Sequence, residues 1–572
     1  MLRRRLLYLL AVLTLLGQMA FAMVTTAMQQ SPTIDEPVYV AAAAVYSQQH
    51  SLRLNPEHPP LAKLAMAVGL AADDARIDPA YPGNQTLQGR HLLYETGNNP
   101  FRLMLLARLP IILLTLLYGL VVLGFGRDLA GKWAGLIALA LYAFSPDVIA
   151  HGSLATLDVP AAGLLLTAFW MLWRARGRPL LYLPLAGVSL GAALATRMSA
   201  LPAVPMVLLL ALLAAPVALL IRHKREDQPV RIGEQSKTPD EPVRMSEQSK
   251  TPDEPVRIGE QSKRLRGFGL RLLGGVAVGL IAVAVVWVAY LAVDPRLRWT
   301  TPPELANPGG LRGHAVDLLP FPKAYRDGVL IQLRFEDGNF NGFLFGRAYR
   351  GSPWYYLPAA LLIKTPLGML VLWLAGTVTV LVKRRVAALY LLVPAAVLML
   401  VAMTGSRDFG TRYVIFMPIL GAVVAGAVAL IGARWARVGT AVLVAFVAVS
   451  SLRTFPYYLP YSNEAFGGTA NTSRNLHDSN VDWGQDLARL GIRLRERYPD
   501  EPVWLVYKGS GVPGYYGVTG RNPLTVPNEQ VQGLLVVSDS RVALAEGKLK
   551  QLIESSTPID DVGHSITIYR RP

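Results

Sequence analysis

The sequence predicts an all-α polytopic membrane protein with about eleven transmembrane helices, followed by a small extracytoplasmic α/β domain. Three observations predict it. Of the 572 residues, 52% are apolar and only 17% are charged, against about 25% charged in an ordinary soluble domain. The apolar residues come in runs of roughly twenty, the length that crosses the hydrocarbon core of a bilayer. Nearly all of the formal net charge of +17 falls in alternate loops, the asymmetry that marks a cytoplasmic side. With no cysteine in the chain, a disulfide scaffold and a cysteine-ligated metal site are excluded. The basic balance is thus a matter of topology, and nucleic acid is not an expected partner.

The predicted spans begin with Leu6–Val24, Leu103–Phe125, Trp133–Ile149, Val159–Trp173 and Leu180–Ala195. They continue with Leu201–Ile221, Leu270–Val293, Trp354–Val382, Ala387–Met403, Tyr413–Ile431 and Val438–Phe455. The start resembles a secretory signal peptide, with Arg3–Arg5, an apolar stretch and Ala20-Phe21-Ala22. The apolar run continues through Met23 and Val24, longer than the usual signal core, and predicts an uncleaved first span. Clusters at Arg3–Arg5, Arg174/Arg176/Arg178 and Lys383–Arg385 put the N-terminus on the cytoplasmic side.

Residues 1–456 form the membrane module in this reading. Within it, 25–101 and 294–353 are outer loops, and 222–266 is a cytoplasmic loop. That cytoplasmic loop repeats with a period of thirteen residues from Pro229, Pro242 and Pro255, too polar to pack, and reads as disordered. Residues 457–572 form the outward domain. In it Trp483, Leu487, Leu490 and Leu494 recur at helical spacing, and Val503–Tyr507, Leu534–Val537 and Ile566–Tyr569 read as buried strands.

An ionised group within a span is costly, so its position informs. Charges gather where the helices emerge on the outside: Asp35-Glu36, Asp147, Asp158, Arg197, Lys364, Arg407-Asp408 and Arg412. Carboxylates there can act as a general base, and cations can hold a phosphate; helix ends also collect charge simply as interface anchors. Pro37 and the Pro59-Pro60 pair each open a short interfacial helix, the second over 61–71. In Asp482-Trp483-Gly484-Gln485-Asp486, either the Trp and its polar neighbours contact a sugar ring, or Asp482 caps the following helix with Trp483 packed beneath.

Asp35-Glu36, Glu57-His58-Pro59-Pro60-Leu61 and Thr156-Leu157-Asp158-Val159-Pro160 together resemble the protein O-mannosyltransferase and aminoarabinose transferase group. These are family 39 glycosyltransferases of the GT-C fold. Leu319-Pro320-Phe321, Phe343-Leu344-Phe345-Gly346, Trp354-Tyr355-Tyr356 with Lys364-Thr365-Pro366, Asp408–Tyr413 and Asp478–Leu487 are similar to the bacterial phospholipid carrier-dependent branch. The resemblance implies an inverting enzyme that moves a hexosyl or pentosyl group from a polyprenyl-phosphate carrier to a lipid, protein or glycan acceptor. It implies Asp35 and Asp158 as catalytic carboxylates. Glu36, Glu57, His58, Arg197, Lys364, Arg407 and Arg412 are implied as substrate-binding. His58 stands where aminoarabinose transferases carry a lysine, and Glu57 with His58 is the candidate pair should a divalent metal be bound; no other cofactor is implied. The rival reading is a non-catalytic transporter or flippase of lipid-linked sugars. It would need no outer carboxylate and would show repeat symmetry between its halves, which the sequence lacks.

Overall fold

The computed structural model describes residues 2–214, 255–303, 305 and 309–572. Helix α1 (Leu2–Gln29) leads through a short turn to α2 (Glu36–Gln49), α3 (Leu61–Leu70) and α4 (Gln85–Tyr94). The long α5 (Pro100–Ala130) starts where the Asn99 side chain accepts from the Arg102 N–H and Pro100 takes the first turn. It ends at Gly131, whose φ of +91° few other residues adopt. Next come α6 (Lys132–Ala143), α7 (Pro146–Gly152), α8 (Asp158–Ala175), α9 (Pro179–Leu194) and α10 (Ala203–Ala214). Beyond residue 254 follow α11 (Pro255–Val293), α12 (Gly310–Asp317) and α13 (Lys323–Glu336). A hairpin of β1 (Asn341–Leu344) and β2 (Arg347–Arg350) precedes α14 (Tyr356–Lys364), α15 (Leu367–Lys383), α16 (Arg385–Ala402), α17 (Phe416–Gly426) and α18 (Arg434–Thr454).

Among the described residues, five helices are long and apolar enough to cross a membrane, or seven if each of two bent pairs counts as one span. The protein is an integral membrane protein, mostly helical. The bends are chemical: Pro146 turns α6 into α7 by 62°, and Pro366 turns α14 into α15 by 116°, since proline removes an N–H and restricts the residue before it. Two of the eleven expected spans thus appear as bent pairs and three fall on shorter apolar helices, Pro179–Leu194, Ala203–Ala214 (where the described residues end) and Phe416–Leu430. The span expected at Val159–Trp173 lies in α8, which is not among the spanning helices. The first two copies of the repeat lie outside the described residues. The third, from Pro255, differs from the disordered reading: it opens α11, because Pro255 suits a first turn and no further proline or acidic cluster interrupts the run to Val293. Helices α9 and α11 approach closely at small residues; a Cβ on Gly191 would stand 2.6 Å from the Ala282 carbonyl oxygen.

One buried ion pair fixes one end of this bundle. Arg108 in α5 donates to both carboxylate oxygens of Glu36, at 2.7 and 2.6 Å, and to the carbonyls of Ala27, Gln30 and Ser31. Glu36 accepts in addition from the N–H groups of Thr33 and Ala155. Both side chains are fully buried. Burial alone would push the Glu36 carboxyl up, but Arg108 and the two N–H groups hold it below its ordinary value. The end of α1, the start of α2, the middle of α5 and the turn before α8 are therefore tied at one point. Helix α2 is expected from the sequence to lie in the interface; instead Glu36 through Tyr46 are all buried, because protein surrounds it.

After α18 the chain threads back toward the bundle. The Ser31 N–H donates to the Gln485 carbonyl and the Ile34 N–H to that of Trp483, each at 3.0 Å. Ser31 Oγ donates to the Gly484 carbonyl and accepts from the Leu487 N–H. Beyond this seam lies a five-stranded mixed sheet in the order β4 (Gly520–Arg521), β3 (Val503–Val506), β5 (Gly533–Ser538), β7 (Ile566–Arg571), β6 (Thr557–Val562). Strand β3 runs parallel to β4 and β5, and β7 antiparallel to β5 and β6. Helix α19 (Leu487–Arg497) packs Leu487, Leu490 and Leu494 on one face of the sheet. Leu549 and Leu552 cover the other. The three strands expected from the sequence are β3, β5 and β7.

Candidate active site

A cavity of about 840 Å³ opens beside the starts of α2 and α8 and the turn after α9. Asp35 stands one residue before α2, at the cap position, yet its side chain does not cap the helix. It turns instead to Arg412, whose Nη1 donates to Asp35 Oδ2 at 2.6 Å. Asp158 opens α8 and pairs with Arg197, from the turn after α9. Arg407 pairs with Glu336 and donates from Nη2 to Gln332 Oε1 at 3.0 Å. All of these residues line the cavity. Burial, then the like charge of Arg412, lowers Arg197 to about 10, which leaves it a cation at neutral pH. Leu165, Leu398, Val401 and Phe416 give the same cavity an apolar side.

A turn before α3 shapes one corner. Asn55 adopts φ +55°, a region that asparagine enters more readily than most residues. Fully buried Lys63 reaches back from α3 to donate to the Asn55 carbonyl and side-chain oxygens and to the His58 carbonyl. Burial lowers the Lys63 amine to about 7, with Glu57 opposing. Glu57 accepts from Gln85 Nε2 at 2.6 Å. His58 lies edge-on to Tyr39, with ring centroids 5.9 Å apart. Burial, and then the charges of Arg197, Lys63, Arg407 and Arg412, hold its ring well below its ordinary pKa. His58 is consequently neutral and does not replace the cationic lysine of the aminoarabinose transferases. Among the described residues no group of three or more His, Cys, Asp and Glu gathers as a metal site, so Glu57 and His58 find no third ligand.

Two of the residues expected to bind substrate lie elsewhere. Glu36 is spent on Arg108, away from the cavity. Lys364 is fully buried, where it pairs with Asp147 at 3.2 Å and donates to the Leu459 and Asn480 carbonyls; it too is absent from the cavity lining. The Thr365-Pro366 break turns Lys364 inward at the end of α14, and its position next to a rim motif gave no hint of that.

The tail reaches the cavity as well. Trp483 and Asp478 line it, and the Arg412 guanidinium lies 4.4 Å from the centroid of the Trp483 ring. The helix-cap reading of Asp482 fails: α19 starts at Leu487 with Asp486 at the cap position. Asp482 instead accepts from the Gly484 N–H at 3.1 Å and the Ser540 N–H at 3.4 Å, which shapes the turn that presents Trp483. Sequence reasoning missed Gln332 and Glu336. Their spacing of four on one helix face was the available signal.

Burial pushes the Asp482 carboxyl up to about 7, with Lys508 opposing. The folded protein then keeps a proton that the unfolded chain gives up near pH 4, so stability falls as pH rises from about 4 to about 7. Asp482→Asn is expected to flatten this slope in melting curves recorded against pH in detergent. An unchanged slope would separate Asp482 from it.

Residues 11–225 match the family model described as dolichyl-phosphate-mannose-protein mannosyltransferase. That stretch carries Asp35, Glu57, His58, Asp158 and Arg197, five of the cavity residues. Among solved structures, the chain is similar to ArnT from Cupriavidus metallidurans bound to undecaprenyl phosphate, at 13% identity over 98% of this chain and 97% of that one, with a TM-score of 0.44. It is also similar to the oligosaccharyltransferase AglB from Archaeoglobus fulgidus in complex with an inhibitory peptide and a dolichol-phosphate. There the identity is 13% over 96% of this chain and 72% of that one, with a TM-score of 0.42. No curated protein matches the chain.

Proposed function

We propose that this protein is an inverting glycosyltransferase that moves a sugar from a polyprenyl-phosphate carrier to a hydroxyl- or amine-bearing acceptor at the outer face of a bacterial inner membrane. The observation that carries the reading is one cavity in which two carboxylates, Asp35 and Asp158, meet three arginines, Arg197, Arg407 and Arg412, beside an apolar wall. Such a wall suits an isoprenoid chain, and the arginines suit its phosphate. The N-terminus lies in the cytoplasm and the domain from residue 457 outside, with the positive loops inward.

In the reaction, the acceptor oxygen attacks the anomeric carbon from the face opposite the carrier. Asp35 takes the proton of that hydroxyl as the new C–O bond forms. The bond between the anomeric carbon and the phosphate oxygen breaks, and its electron pair leaves with the lipid phosphate. Arg197 and Arg412 stabilise the charge that develops there. Asp158 orients the sugar hydroxyls. The test is a purified protein given a lipid-linked sugar and an acceptor. Free lipid phosphate and a product of inverted anomeric configuration by NMR are expected; carrier moved across the bilayer without bond cleavage would overturn the reading.

A further inference from the structure

As the cavity stands, its cations are not free. Arg197 is paired with Asp158, Arg407 with Glu336 and Arg412 with Asp35. An anionic phosphate entering this space meets arginines already neutralised, and a carboxylate that must accept a proton is engaged by a guanidinium. We propose that Arg412 holds Asp35 idle until the carrier phosphate displaces it from the guanidinium, so that the base is released only once the leaving group is seated. This rests on the carrier-dependent reading above and deepens it: the same Arg412 that meets the carrier phosphate also keeps Asp35 engaged until that phosphate arrives.

The geometry around Arg412 supports an exchange. Its Nη1 donates to Asp35, its Nη2 makes only a long contact of 3.5 Å to the Tyr413 hydroxyl, and its buried Nε has no protein acceptor. One donor of the fork thus stands unused next to the cavity. The rings of Trp483 and Tyr413, 4.4 and 5.1 Å from the guanidinium, flank it, so the guanidinium stays while its anion changes. A phosphate presents more acceptor oxygens than the single carboxylate oxygen now engaged, and two of the guanidinium donors can then be used together. Because a buried cation left without an anion is strongly destabilised, the phosphate enters as the carboxylate leaves. Asp35 is 28% exposed in its side chain while Arg412 is 10% exposed, so the carboxylate is the partner with solvent to turn into. Donor therefore binds before the acceptor hydroxyl can be deprotonated.

The test is a cycle of equilibrium binding measurements on the full chain in nanodiscs, with radiolabelled undecaprenyl phosphate as probe and undecaprenol, which has no phosphate, in parallel. If Asp35 competes for Arg412, Asp35→Asn binds the lipid phosphate about tenfold more tightly than wild type, and the gain disappears in the Arg412→Gln background. No gain in Asp35→Asn overturns the proposal. An equal gain with and without Arg412 also overturns it, because it would reflect only the loss of a negative charge near the phosphate. Equal wild-type affinity for undecaprenyl phosphate and undecaprenol would overturn the carrier-dependent reading itself, whereas phosphate-dependent binding without coupling removes only the exchange. Should Arg412→Gln fail to fold, carbodiimide coupling at Asp35 in the wild type, read by peptide mass spectrometry, decides the matter: it rises when undecaprenyl phosphate is added, and the absence of a rise overturns the proposal.

Discussion

Asp35→Asn lowers sugar transfer by roughly a hundred- to ten-thousandfold, the range lost with a general base, while the protein still inserts and keeps a melting temperature close to wild type. The two halves of this expectation have different physical origins. The activity falls because an amide oxygen cannot take the acceptor's proton. The fold survives because Asp35 caps nothing and is tied to no backbone group by its side chain, because an amide oxygen in its place can still accept from Arg412, and because the nearby Asp478 charge keeps that guanidinium from being left without an anion. Rates of lipid-phosphate release, measured alongside melting in detergent, separate these effects. Turnover like that of wild type would remove the assigned role, and a collapsed melting temperature would make Asp35 a structural residue.

The neighbouring acid behaves in the opposite way. Glu36→Gln leaves Arg108 buried without its counter-charge, and is expected to cost about 3–5 kcal/mol of stability. The readouts are a lower yield of inserted protein and a lower melting temperature. Arg108→Leu alone strands the Glu36 carboxylate and carries a similar cost. The double substitution costs less than the sum of the two, because neither charge is then left alone, although the carbonyls of Ala27, Gln30 and Ser31 still lose their donor. Additive losses would show that the two side chains do not act as a pair. Adjacent residues with the same charge are thus expected to divide into a chemical and a structural role, since Asp35 turns to Arg412 and Glu36 to Arg108.

Much of this was legible from residue order. The apolar runs located the helices, the short apolar runs Val503–Tyr507, Leu534–Val537 and Ile566–Tyr569 located the central strands, and charges at helix ends located the rim where the cavity opens. What stayed hidden was partnership. Nothing local in the sequence distinguishes Arg412, beside Asp35, from Lys364, which sits under Asp147 and two carbonyls. Arg108 carried a readable warning: a cation inside a long apolar helix demands an anion, and Glu36 is that anion 72 positions away. Trp483 was misread because Leu487, Leu490 and Leu494 share its helical spacing, while Gly484, at φ +89°, ends the period before the helix begins.

The return of the chain after α18 has a consequence for how the molecule can be divided. Ser31, Ile34 and the turn at Gly484 are laced together main chain to main chain, and Trp483 forms part of the chamber wall. The C-terminal sheet is therefore tied to the cavity by the same strip of polypeptide that lines it. Anyone grafting a foreign headpiece onto this protein would need to keep the native chain through Leu487, since a splice right after α18 would carry away a side of the chamber along with the headpiece.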